Sequence, residues 1–120
     1  MRAFFTCSFA AALTVTLVMA WLPHPPHLPG DDKLWHVLAF ITLSLLASLA
    51  FPAAPLARIG ERLSFLGALI EVVQSIPALH RDCDIWDWIA DTLAVAATLA
   101  IVAWLRWLRG RRRRAGSIGP

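Results

Sequence analysis

An all-α fold, an integral membrane four-helix bundle, is the class this 120-residue sequence predicts, and three observations lead there. The chain is 58% hydrophobic and 16% charged, whereas soluble domains are about a quarter charged. Its apolar residues gather into four long segments separated by short polar connectors; four spans of roughly 20 residues would use most of the chain. Its basic residues collect on what would be one side of a bilayer. No room is left for a separate catalytic or nucleic-acid domain, so any chemistry belongs in or at the membrane.

Transmembrane helix 1 is expected over residues 1–22. Ala3 to Leu22 carries no charge and stops at Pro23-His24-Pro25-Pro26, where fixed φ angles and missing amide donors end a helix. Arg2 and Val18-Met19-Ala20 resemble a signal peptide and its cleavage site, but the apolar run exceeds the roughly 7–15 residues usual for such signals. The segment is read as an uncleaved anchor. The second segment, Leu34 to Ala54, follows the loop Pro29 to Lys33 and carries one ionisable residue, His36. A basic connector, Arg58 to Arg62, leads to the third, Leu63 to Leu79, which contains Glu71, Gln74 and Pro77. The fourth, Ile85 to Leu108, opens with Trp86, Asp87, Trp88 and Asp91 before turning Ala/Leu/Val-rich. Residues 109–120 form a basic cytoplasmic tail, Arg109 to Arg114 interrupted by Gly110, and Ala115 to Pro120 is expected to be disordered.

Charge bias sets the orientation, because cytoplasmic flanks collect Lys and Arg. With both termini inside, Arg2, Arg58, Arg62, Arg106, Arg109 and Arg111 to Arg114 are cytoplasmic, nine of the 11 basic residues. Lys33 and Arg81 are outside, as are all the acids except Glu61. Trp21, Trp35, Trp86 and Trp88 fall at outer boundaries and Trp104 and Trp107 at the inner one, as interfacial belts do. The frame is that of a multi-pass membrane protein in contact with the lipid bilayer, both termini cytoplasmic. An Arg run directly after a spanning helix is an orientation signal and an attraction for anionic lipid, so no nucleic-acid partner is expected. Cys7 and Cys83 lie toward opposite faces and form neither a disulfide nor a metal pair at recognised spacing. No cofactor or metal is expected. His24, His27 and His80 read as exposed loop residues.

The polar residues inside the segments are less ordinary. Lys33 and His36 are three apart, as are Glu71 and Gln74, and Asp84, Asp87 and Asp91 follow a three-then-four spacing, so each set shares one helical face. Segments two and four run inward and segment three outward, which brings all three sets to the outer third of the bilayer. A carboxylate at the centre of a spanning helix costs about 2.5–3.5 kcal/mol on insertion scales; Glu71 and Asp91 therefore need partners, and Lys33, Arg81 and His36 are the available cations. Such a set can be a polar network that only fixes packing, but ionisable groups in membrane helices more often mark function. The candidate ligand-binding residues are Asp32, Lys33, His36, Glu71, Gln74, Arg81, Asp87 and Asp91. His36 with Glu71 or Asp87 is the candidate acid–base pair, and Cys83, in an acidic loop, lacks the electropositive setting of a reactive thiol.

At these residues the sequence resembles the VanZ-like family of small bacterial membrane proteins. The matching elements are Asp32-Lys33-x-x-His36, then Gly67-x-x-x-Glu71-x-x-Gln74, then Arg81 followed six residues later by Asp87, in that order, within a VanZ-like region of residues 31–108. Two departures stand out: Asp91 occupies the family's usual Asn in Asp-x-x-x-Asn-Thr-x-Gly, and Ala94 replaces the Gly. The resemblance implies a cell-envelope role, with a link to glycopeptide (teicoplanin) susceptibility, but no reaction.

Three functions compete. The first is an outward-facing polar pocket that binds or modifies a cell-envelope lipid, a lipid-linked precursor or a related amphiphile. The second is a membrane-embedded hydrolase or transferase using His36 and Glu71. The third is a proton-coupled transporter assembled as a homo-oligomer, in which Glu71 or Asp91 cycles its charge.

Overall fold

Prolines and short polar side chains set several of the helix ends. The computed structural model describes residues 1–24, 26, 29–81 and 83–116. Among the described residues the α-helices are α1 (Arg2–Trp21), α2 (Asp32–Ala50), α3 (Leu56–Gln74) and α4 (Ile85–Gly116), with a 3₁₀ turn at Pro77–Leu79 and no strand. Asp31 caps α2, its carboxylate accepting from the Lys33 amide at 3.3 Å. Asp84 does the same for α4, accepting from the Trp86 amide at 2.9 Å. α1, α2 and Ile85–Arg114 of α4 are long and apolar enough to cross a membrane.

Two expected boundaries are corrected. The third element is helical from Leu56, through the supposed connector Arg58 to Arg62, and ends at Gln74 rather than Leu79. Pro55 stands at its N-cap, the following Leu, Ala, Arg and Glu are strong helix formers, and Pro77, without an amide proton, cannot extend it. With Arg58, Glu61 and Arg62 in its first turns, α3 is not among the helices long and apolar enough to cross a membrane. The fourth element does not stop at Leu108: α4 carries the arginine run as helix, with the Arg111 guanidinium 4.8 Å above the Trp107 ring. Of the tail expected to be disordered, Ala115 and Gly116 are helical, and Ser117 to Pro120 lie outside the described residues.

The helices run up, down, up and down. Phe9 near the start of α1 meets Phe51 just past the end of α2, with ring centroids 5.7 Å apart. The end of α3 meets the end of α1 where the Gln74 amide donates to the Ala20 carbonyl at 2.9 Å. α2 and α4 are parallel: Lys33 pairs with Asp87 at one end, and at the other Arg106 donates to the Ser48 carbonyl at 2.8 Å. α2 touches the three other helices, and its Phe40, Leu43 and Ala47 join Ile59, Leu63, Ile70, Val95 and Leu99 in the core. Small residues permit this approach. A methyl at Gly67 would sit 3.3 Å from Trp88 and 3.5 Å from Phe40, and one at Gly60 would sit 3.3 Å from Leu99. The molecule measures 69 × 28 × 26 Å, the long axis reflecting α4, whose 32 residues span about 48 Å at 1.5 Å each.

Candidate functional site

Because α2 and α4 are parallel and α3 antiparallel to both, the N-terminal turns of α2 and α4 meet the C-terminal turn of α3 at one end of the bundle. Each helix brings its polar face there. Lys33 pairs with Asp87, and its ammonium lies 3.6 Å from Asp84. This pair is on the rim, with the Lys33 side chain 39% exposed. One turn deeper, His36 Nδ1 lies 3.4 Å from Asp91 Oδ2, their side chains 10% and 1% exposed. Asp91 Oδ1 is buried without a hydrogen bond. Arg81, in the α3–α4 connection, donates from one Nη to Asp32 at 3.3 Å.

Glu71, in the last turn of α3, accepts from the Asp84 amide at 3.0 Å, and among the described residues its other oxygen is buried without a hydrogen bond. It thereby holds the entry of α4 against the exit of α3. Partial desolvation and the Glu71 carboxylate push the Cys83 thiol above its ordinary range. Cys83 and Cys7 are both free and exposed. Below this level Trp88 donates to the Ser64 carbonyl at 3.0 Å, and the hydroxyls of Ser64 and Thr92 share a hydrogen bond of 2.9 Å. Toward the opposite end the hydroxyls of Ser44, Ser48 and Thr98 each donate to a carbonyl of their own helix.

The expected set is thus gathered at one end, with different pairings. His36 faces Asp91 and makes no hydrogen bond with Glu71 or Asp87, because Asp87, a turn nearer the rim, is taken by Lys33. Gln74 points away from the ionisable groups and ties α3 to α1. Trp88, assigned to an interfacial belt, is half-buried against Gly67 and bonded to α3. Ser64 escaped the sequence reading, as did the parts that Trp88 and Thr92 play in joining α4 to α3. Thr92 follows Asp91 and lies seven residues after Ile85, but only the pairing of α3 with α4 reveals Ser64 as its partner. His24 stacks on His80 with ring centroids 6.0 Å apart, and His27 lies outside the described residues.

Two cavities flank the cluster. The larger, about 740 Å³, lies between the facing halves of α1 and α2; Val15, Met19, Ala39 and Phe40 form its apolar walls, and His36 and Arg81 its polar end. The smaller, about 330 Å³, is lined by Asp31, Lys33, His80, Arg81, Asp84 and Asp87, together with Asp32. Among the described residues, no group of three or more His, Cys, Asp or Glu side chains is placed to hold a metal ion. Comparisons with models of protein families, with curated proteins and with solved structures return no match. The chemistry therefore rests on the geometry of the site itself.

Proposed function

We propose that this chain is a multi-pass, VanZ-like protein of the bacterial cytoplasmic membrane whose polar cluster faces outward and whose larger cavity binds a cell-envelope amphiphile. The observation that carries this reading is the shape of that cavity's lining, apolar along α1 and α2 and polar at the end where Arg81 and His36 stand. A lipid or lipid-linked precursor has the same polarity sequence, chain then head group. At about 740 Å³ the cavity falls within the roughly 300–1,000 Å³ usual for small-molecule sites. The concentration of nine basic residues at the far end supports an outward-facing cluster. An effect on glycopeptide (teicoplanin) susceptibility would follow if the bound amphiphile belongs to the cell-wall pathway.

Native mass spectrometry of the protein extracted with its own lipids tests the reading. A copurifying lipid is expected on the parent chain, and Ala39→Trp, which fills the cavity, should abolish it. A lipid retained equally by Ala39→Trp would place the binding elsewhere and overturn the proposal.

One observation favours an enzymatic version of the same site. The His36 ring lines the cavity while Asp91 engages its Nδ1, leaving Nε2 as the nitrogen able to exchange a proton with an occupant. A chemically altered lipid on the parent chain, and an unaltered one on His36→Gln, would establish turnover.

A further inference from the structure

The cluster holds many carboxylates, which would repel an anionic head group, yet they are unevenly distributed. Lys33 draws Asp84 and Asp87 to its side, and both line the smaller recess. Asp91 is buried behind His36. Among the described residues, Asp32 is the one acid that lines the larger cavity, where Arg81, His24 and His36 also stand. The recess is acid-rich; Arg81 and Asp32 stand between the two and line both, and on the cavity side the Arg81 guanidinium and two imidazoles face that one carboxylate.

Arg81 is also poorly occupied. Its side chain is 12% exposed and, among the described residues, makes one hydrogen bond, to Asp32, at 3.3 Å. A guanidinium offers five donors, and charge-assisted bonds of this type run about 2.7–2.9 Å. Asp32 is 67% exposed, so it can return to water at little cost. A cationic head group would meet Arg81 head-on, and a neutral one would leave the Arg81–Asp32 pair as it is. A phosphate or carboxylate would gain a bidentate partner that Asp32 now engages at one Nη.

Resting on the amphiphile reading above, we infer that the occupant carries an anionic head group, a phosphate or a carboxylate. Arg81 takes it in exchange for Asp32, His24 donates at its edge, His36 does so from Nε2 as an imidazolium whose Nδ1 faces Asp91, and the chain lies along Val15, Met19 and Ala39. Asp32 is then a built-in competitor for the site.

That competition gives the test its sign. The full chain in maltoside micelles is offered decyl phosphate, decanoate, decyl glucoside and inorganic phosphate, and retained ligand is counted by native mass spectrometry. One decyl phosphate or decanoate per chain should be retained in preference to decyl glucoside, and excess inorganic phosphate should not displace it. Arg81→Gln should weaken retention by about ten-fold or more, the effect of losing a charge-assisted pair; Arg58→Gln, at the other end of α3, should not change it. Asp32→Asn should strengthen retention, an outcome that a merely structural Arg81–Asp32 pair does not produce and that keeps the test decisive should Arg81→Gln misfold. Equal retention of decyl glucoside and decyl phosphate would overturn the head-group assignment while leaving the amphiphile reading intact. Retention of none of the amphiphiles would remove that reading as well. Inorganic phosphate bound as tightly as decyl phosphate would make this a free-anion site and overturn the inference.

Discussion

Replacing His36 with Leu removes the hydrogen-bonding partner of a carboxyl group that has almost no access to water. Asp91 is 1% exposed, its Oδ1 already lacks a bond and its Oδ2 faces only the His36 ring at 3.4 Å. His36→Leu leaves both oxygens unbonded, and stranding one member of a buried pair costs about 3–5 kcal/mol. A long bond of this kind belongs at the low end, so we expect a loss of about 3 kcal/mol, roughly 150-fold in the folding equilibrium. Asp91→Leu in the same chain removes the stranded group, and replacing both members of a buried pair with apolar residues is often neutral or stabilising. The double variant should recover at least about 2 kcal/mol relative to His36→Leu alone, and subtracting the effect of Asp91→Leu by itself gives the coupling between the two residues. Reversible unfolding in mixed micelles, followed by the near-ultraviolet signal of the tryptophans, measures all four corners of the cycle. Additive losses, with the double variant the least stable of the four, would show that Asp91 is satisfied without His36 and would refute this account of the pair.

Impermeant maleimide on intact spheroplasts should label Cys83 and spare Cys7 if the cluster faces outward; the reverse pattern would invert the topology. Because the Cys83 thiol is pushed up, its thiolate fraction at neutral pH lies below that of a free cysteine. Labelling should therefore be slow there and climb with rising pH, and Glu71→Gln, which removes a neighbouring carboxylate, should speed it. Arg106→Ala frees the Ser48 carbonyl near the end of α2, at a cost of about 1.5 kcal/mol for a bond to a charged group. Thermal aggregation in detergent should register this, with Arg106→Lys recovering part of it. Cysteines placed at Ser64 and Thr92, whose hydroxyls are 2.9 Å apart, should oxidise to a disulfide in membranes. A pair at Ser44 and Ser64 serves as the unlinked control, and equal yields would deny the α3–α4 register.

The meeting of polar residues at one end was legible because it needs only helical spacing and alternating direction. Lys33, His36, Glu71, Asp87 and Asp91 are fixed to their faces by intervals of three and four, and antiparallel connections do the rest. Who pairs with whom was not legible, since that depends on how far each helix is rotated and slid. Gly67, lodged against Trp88 and Phe40, fixes the approach of α3, and the hydropathy pattern carries no sign of it. His36 consequently meets Asp91. Gln74 shares a face with Glu71 on paper, yet the two lie nearly a full turn apart and Gln74 reaches the Ala20 carbonyl instead. The limits of α3 were misjudged for a simpler reason. An apolar run marks where a chain is greasy, and helix begins wherever capping and propensity allow, which here is seven residues earlier.

The arginines on α4 have a geometric consequence of their own. A loose tail could lie flat and give every charge the same depth against a lipid surface. A helix that continues from the bundle instead stacks them like rungs, Arg109 and Arg114 standing about 7.5 Å apart along the axis at 1.5 Å per residue. That interval is close to the distance, about 8 Å, over which salt at physiological strength damps an electric field. In the proposed orientation the lowest rung would feel the anionic leaflet strongly and the highest much less. In that orientation the run would serve as a graded depth gauge, in which pulling α4 inward by a single turn transfers about three positive charges between the two zones.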